Sequence, residues 1–329
     1  MNKAAALAQA TTALHLLDKE FLDSHMLLYR TTGGAHEPWA ALWPTSQVLA
    51  AAIDVATLTH KAADLARVRR IIDQLRYYRA PGGMYMARAT RSLRYTDDNN
   101  WIGLDLLDAY ALVHDQQYLT DAEDIFTYLV SEWDTKKGGG IKWADGVGSH
   151  EDRPTVSTAP ASTLGFRLAA LTHKAYYRTW GTRFFTWENA HLRAPNGLYW
   201  DNLRANGTIN TDFVAYNQGV MIDADLAYAG LTGNQQYVTT ARQLAAATAR
   251  AMPNPSLARG DLAAYDAIYF QSLLHLNAVG KGAASLAPVQ AFATGEQPIA
   301  LAPRAAAARD EQGLLEQAAY VIATAVLAA

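Results

Sequence analysis

The chain contains no cysteine. Disulfides, thiolate nucleophiles and cysteine-based zinc sites are therefore excluded together, and oxygen and nitrogen groups are left to carry any chemistry. Charge is also scarce, at 18 % of 329 residues, with a net value of −3. Nothing in that balance grips nucleic acid or anionic lipid, so neither is expected as a partner. Long apolar runs are missing too, since no stretch approaches the roughly 20 uninterrupted apolar residues of a membrane span. Gln9, Thr11, Thr12, His15 and Asp18 interrupt what a signal core would keep continuous. The start therefore reads as a first helix, and a cytoplasmic location is expected. The nine histidines are scattered and none pairs at the HExxH spacing, so no metal is expected.

Half of the residues are apolar, enough for a substantial core in one domain spanning residues 1–329. Alanine and leucine recur at helical spacing and alternating β-branched runs are rare, which predicts a predominantly α-helical chain. A junction repeats at Leu58-Thr59-His60-Lys61, Leu112-Val113-His114-Asp115, Leu171-Thr172-His173-Lys174 and Leu231-Thr232-Gly233-Asn234. The spacing is roughly 50 to 60 residues, the length of a helical hairpin plus one long loop. A weaker junction at Val279-Gly280-Lys281 and a last apolar helix from Leu314 to Leu327 bring the number of hairpins to six. The junction histidines are read as turn or C-cap residues, because a cationic imidazole is favoured at a helix C-terminus.

The second helix of each hairpin is the more apolar, as in Trp101 to Val113 and Val220 to Leu231. Such helices are buried all round. Six of them inside six amphipathic ones make an all-α (α/α)6 barrel, a toroid of six helical hairpins. An open solenoid would show closer repeat similarity and a polar capping helix. Residues Gly282 to Arg309, rich in Ala, Pro and Gly, are expected to hold the sixth outer helix together with loop. Asn206-Gly207, following Tyr199-Trp200, predicts a small β-hairpin within Gly197 to Ile209 at the barrel rim.

Six repeated hairpins require parallel inner helices, so the loops entering them gather at one mouth. Those entries are Trp43 to Gln47, Tyr95 to Trp101, Thr155 to Thr158, Tyr216 to Gln218, Arg259 to Asp261 and Arg309 to Glu311. Aromatic rings and polar groups alternate around that opening. A sugar site needs this mixture, because pyranose faces stack on rings while hydroxyls need amides and carboxylates. Trp43, Trp101, Trp143, Trp200 and Tyr216 are the candidate platforms, and Gln47, Asn99, Asn217 and Gln218 the candidate hydroxyl partners. For Asn217 and Gln218 the alternative is that they satisfy helix N–H groups. Asp201 is read as closing the rim hairpin. Asp105, Asp108, Asp223 and Asp225 lie farther along the inner helices and are read as structural, since buried carboxylates must find partners.

Asp97 and Asp98 are the sharpest feature. Adjacent acids at a helix start also serve as an N-cap and a first-turn charge. In a partly dry pocket, however, one carboxylate makes its neighbour hold its proton, so one acts as acid while the other stays ionised. Retaining glycosidases need carboxyls roughly 5 to 5.5 Å apart and inverting ones roughly 6.5 to 9.5 Å. Neighbouring residues meet the shorter spacing more readily, which points to retention.

Several segments together resemble glycoside hydrolase family 76, the endo-α-1,6-mannanases. They are Trp43-Pro44 with Ser46-Gln47, Tyr95-Thr96-Asp97-Asp98-Asn99-Asn100-Trp101, Gly138-Gly139-Gly140-Ile141-Lys142-Trp143, Asn196-Gly197-Leu198 with Asp201, and Tyr216-Asn217-Gln218-Gly219. The resemblance implies an (α/α)6 barrel, an α-mannoside substrate, no metal or organic cofactor, Asp97 as nucleophile and Asp98 as acid/base. Two rivals stand beside it. A toroid sugar 2-epimerase would need histidines at the mouth for proton transfer, and a glycan-binding protein would keep the barrel without turnover.

Overall fold

A computed structural model describes residues 1–32, 38–81, 84–90, 92–146, 148–253, 263–280, 284–294 and 310–329. Twelve α-helices lie among them: α1 Lys3–Phe21, α2 Leu42–Thr59, α3 Ala62–Gln74, α4 Thr96–Val113, α5 Gln116–Ser131, α6 Thr155–Thr172, α7 Ala175–His191, α8 Ala215–Thr232, α9 Gln236–Ala251, α10 Ala263–Val279, α11 Ala287–Thr294 and α12 Glu311–Ala328. The even-numbered helices form an inner ring in which each packs on the next and α12 packs back on α2, while α1 covers α12. The fold is therefore the closed (α/α)6 barrel. None of the described helices is long and apolar enough to cross a membrane.

The two layers differ as their residues require. On α3 the buried set includes Val68, Ile71 and Ile72, one stripe of an otherwise polar helix. On α6 nearly every residue from Thr155 to Phe166 is buried, including the small polar ones. A helix enclosed on all sides needs small side chains to let its neighbours approach, and hydroxyls that can turn back onto its own carbonyls.

The four repeated junctions are helix C-caps. His60, His114 and His173 adopt left-handed backbone with φ of 51°, 54° and 59°, and Gly233 does so with φ of 74°. Each cap N–H donates to a carbonyl four residues back: Ala56, Tyr110, Ala169 and Ala229. The conformation explains the choice of residue, since histidine is among the few non-glycine residues enriched there.

The expected rim hairpin is present as β2 Asn202–Leu203 and β3 Ile209–Asn210, with Asn206-Gly207 in the turn. A third strand, β1 Arg153–Pro154, pairs with β2 just before α6 begins, which ties the hairpin to the mouth. Of the region expected to hold the sixth outer helix, α11 occupies Ala287–Thr294 and packs on α12. Residues 295–309, and the mouth entry expected at Arg259 to Asp261, lie outside the described residues.

Below the mouth the inner helices carry a polar network. Arg167 of α6 pairs with Asp108 of α4. His275 of α10 meets Asp223 of α8 at 2.9 Å, and Gln271 donates to Asp54 at 2.9 Å. Asp108 and Asp223 thus have the partners expected of structural carboxylates, whereas Asp105 Oδ2 and Asp225 Oδ2 are buried with no hydrogen-bond partner among the described residues.

Candidate active site

The first turn of α4 is fixed from outside the helix. Thr96 donates its N–H to Trp143 O (2.8 Å), and its hydroxyl lies within hydrogen-bond reach of Lys142 O and Ser157 Oγ, both at 2.8 Å. The chain reaches this position because Gly138, Gly139 and Gly140 all take φ near +90° and turn it back after α5. A Cβ on Gly139 or Gly140 would also strike Trp133 or Trp187, so only glycine fits that turn. The result is that Trp143 stands over Asp97, its indole N–H donating to Asp97 Oδ2 at 3.2 Å.

Asp97 and Asp98 open together into one cavity of about 510 Å³. Two aromatic groups line it. Trp43 stacks on Tyr265 with centroids 5.5 Å apart, and Tyr216 meets the same ring edge-on at 4.6 Å. Tyr95 and Trp143, with centroids 4.9 Å apart, form the second group. Trp101 also borders the cavity, although it is only 8 % exposed. Arg88 and Glu311 supply the remaining charge.

The two aspartates are not equivalent. Burial raises the pKa of Asp97 to about 6, and the Trp143 N–H and the backbone N–H groups at the start of α4 limit the rise. Among the described residues no side chain donates to Asp98 in this way. Burial first, then the charge of Asp97, then that of Glu311 hold its carboxyl well above the usual carboxylate range. Two neighbouring carboxyls whose surroundings push their pKa values apart are what general acid chemistry with an adjacent nucleophile requires.

Trp43, Trp101, Trp143 and Tyr216 therefore meet at the aspartate pair, and five expected sugar contacts do not. Asn99 is fully buried and grips an extended segment instead. Its Oδ1 accepts from Tyr85 N–H (3.0 Å), and its Nδ2 donates to the carbonyls of Tyr85 (2.9 Å) and Tyr95 (2.8 Å). Gln218 repeats the device, accepting from Tyr199 N–H (2.8 Å) and donating to the carbonyls of Tyr199 (2.8 Å) and Val214 (3.1 Å). Asn217 donates to Asp201 at 3.2 Å. Asp201 also receives Asn202 and Asn210, closing the rim hairpin as expected. Gln47 is buried beside Ser46, and the Trp200 backbone carbonyl receives the Thr155 hydroxyl outside the cavity. Asn99 and Gln218 show that an amide near a helix start serves the incoming backbone as readily as a ligand.

Tyr265, Arg88 and Ile268 were missed. Tyr265 stands in the first turn of α10, so a helix start read a few residues later than Arg259 to Asp261 would have placed it at the mouth.

The model of glycosyl hydrolase family 76 matches residues 3–311. A comparison with curated proteins returned no match. Among solved structures, the family 76 mannosidase Bt3792 of Bacteroides thetaiotaomicron VPI-5482 superposes with a TM-score of 0.85 at 20 % identity, covering 98 % of each chain. The GH76A α-1,6-mannanase of Salegentibacter sp. HEL1_6 gives 0.79 at 19 % identity, over 98 % of this chain and 99 % of that one. An inactive variant of the same mannanase, with two consecutive aspartates changed to asparagine, was solved with α-1,6-mannotriose and gives 0.78 at 19 % identity over the same shares. With a family match over almost its whole length and an acid pair at the mouth of a helical toroid, the chain belongs to glycosyl hydrolase family 76 and is a glycoside hydrolase.

Proposed function

We propose that the enzyme hydrolyses α-1,6-linked manno-oligosaccharides with retention of configuration. One observation carries this reading: adjacent carboxyls, one accepting the Trp143 indole N–H, open on the same aromatic-lined cavity. In the first step an Asp97 oxygen bonds to the anomeric carbon as the glycosidic C–O bond breaks, and Asp98 gives its proton to the departing oxygen. In the second, Asp98 takes a proton from water as that water's oxygen bonds to the same carbon and releases Asp97. Trp43, Tyr216, Tyr265 and Trp143 offer ring faces to the sugars on either side of the cleaved bond. The mannanase from Salegentibacter supports the substrate class, since its variant lacking two consecutive aspartates is inactive and holds α-1,6-mannotriose.

The test is turnover of α-1,6-manno-oligosaccharides and of mannosyl fluoride, followed by proton NMR of the first product. Retention releases the α-anomer, and an initial β-anomer overturns the double displacement. Asp98→Asn is expected to slow hydrolysis of poor leaving groups by about 10²–10⁴-fold, and Asp97→Ala to abolish the covalent step. Near-normal turnover by either variant removes that residue from its role, and binding without any product favours a glycan-binding protein.

A further inference from the structure

Glu311 is the first residue of α12 and stands where the ring closes. Its Oε1 accepts from the backbone N–H of Ala41, the N-cap of α2, at 2.9 Å. The same carboxylate takes both ends of the Arg88 guanidinium, at 2.9 and 3.3 Å. One side chain thus joins the last inner helix, the first inner helix and the loop before α4. Both members of the pair remain about one-third exposed, and both face the cavity that holds Asp98.

We propose that Glu311 is a positioning residue for the proton on Asp98, and that Arg88 is the counterweight that sets how strongly it acts. This inference rests on Asp98 being the acid/base. Among the described residues, the ionisable groups bordering the cavity with Asp98 are Asp97 and Tyr95 on its own segment, Arg88 on the preceding loop, Tyr216 on α8, Tyr265 on α10 and Glu311 on α12. From α2 and α6 only uncharged residues reach it: Trp43, Pro44 and Val156. Among the described residues, the acidic and basic side chains that share the cavity with Asp98 are Asp97 and the Arg88–Glu311 pair. A nearby anion strengthens a carboxyl's hold on its proton, and a nearby cation weakens it. Paired with Glu311, the Arg88 cation offsets only part of that anion's effect on Asp98, and removing either half leaves the other uncompensated.

The charge logic fixes opposite signs. Glu311→Gln keeps an acceptor for Ala41 N–H but leaves the Arg88 cation alone, so the alkaline limb of kcat/KM moves to lower pH. Arg88→Gln leaves the Glu311 anion alone, and the same limb moves to higher pH. The limb of the double variant falls between those of the two single variants. At a pH one unit above the wild-type limb, Glu311→Gln is slower than the wild type and Arg88→Gln faster relative to its own maximum. A purely structural seam would lower kcat in both single variants without separating their limbs.

The experiment is the pH profile of all four proteins on an α-1,6-manno-oligosaccharide. A carboxyl titration of Asp98 by difference infrared spectroscopy, with Asp98→Asn as the blank, accompanies it. Limbs that coincide, or that move in one direction, overturn the positioning role while leaving the functional reading intact. If the wild type turns over no α-mannoside, the functional reading fails and the infrared titration decides the link between Glu311 and Asp98. Should Glu311→Gln fail to fold, the direction of the Arg88→Gln shift decides by itself.

Discussion

The indole N–H of Trp143 reaches Asp97 Oδ2 at 3.2 Å, and it does so across a turn of three consecutive left-handed glycines. This hydrogen bond distinguishes two otherwise similar acids, because the donor favours the ionised form of Asp97 and, among the described residues, no side chain donates likewise to Asp98.

Trp143→Phe keeps the ring and removes the donor. The pKa of Asp97 then rises, so the acid limb of the pH–rate profile moves to higher pH. A hydrogen bond to a charged group contributes about 1.5–3 kcal/mol, so activity below that limb falls by about 10- to 100-fold. A steady-state pH series on a mannoside with an activated leaving group reads both effects, and an unmoved limb would show that the indole serves only as a platform.

Glu188, fully buried on α7, provides a stability prediction. Burial pushes its pKa up to about 8, with the Thr155 side chain lowering it in part. Asp225 follows the same rule at about 8 and Asp54 at about 7. Between the unfolded carboxylate range near pH 4 and these folded values, the native state binds more protons than the unfolded chain, so stability falls as pH rises. Glu188→Gln should therefore raise Tm at pH 8 and change it little at pH 4. Calorimetry at both values checks this, and an equal Tm change at both would refute it.

Gly219 belongs to the Tyr-Asn-Gln-Gly segment and lies where α8 meets α10. A Cβ there would sit 2.9 Å from Tyr269 Cα and 3.0 Å from Ser272 Oγ. Gly219→Ala should cost about 1–3 kcal/mol through overpacking. Gly230, on the same helix, has nothing within 4 Å of the equivalent point, and Gly230→Ala should stabilise by about 0.5–1 kcal/mol. Urea unfolding of the two variants gives opposite signs, or else the close helix contact is not what requires Gly219.

Much of this was legible in the chain because it is local. The cap at His114 depends on four residues of helix and one left-handed backbone, and the Asn206-Gly207 turn on two residues. The acid pair could be read because a polar cluster entering an apolar helix has few uses. The fates of Asn99 and Gln218 were not legible, since each is set by a backbone segment, at Tyr85 or Tyr199, that only the folded ring brings alongside. Tyr265 was hidden by an uncertain helix start, and the Arg88–Glu311 pair by a separation of 223 residues.

The alternation of outer and inner helices also has an electrical result. All the inner helices run the same way, so the partly positive N-terminal ends of their peptide stacks, about half an elementary charge each, converge on Asp97, Asp98 and Glu311. Their carbonyl ends, together with His60-Lys61 and His173-Lys174, collect at the opposite rim. Reversing any one inner helix would set a repelling pole beside the acids. Chain direction, more than any single side chain, makes one opening of the ring hospitable to anions and the other to cations.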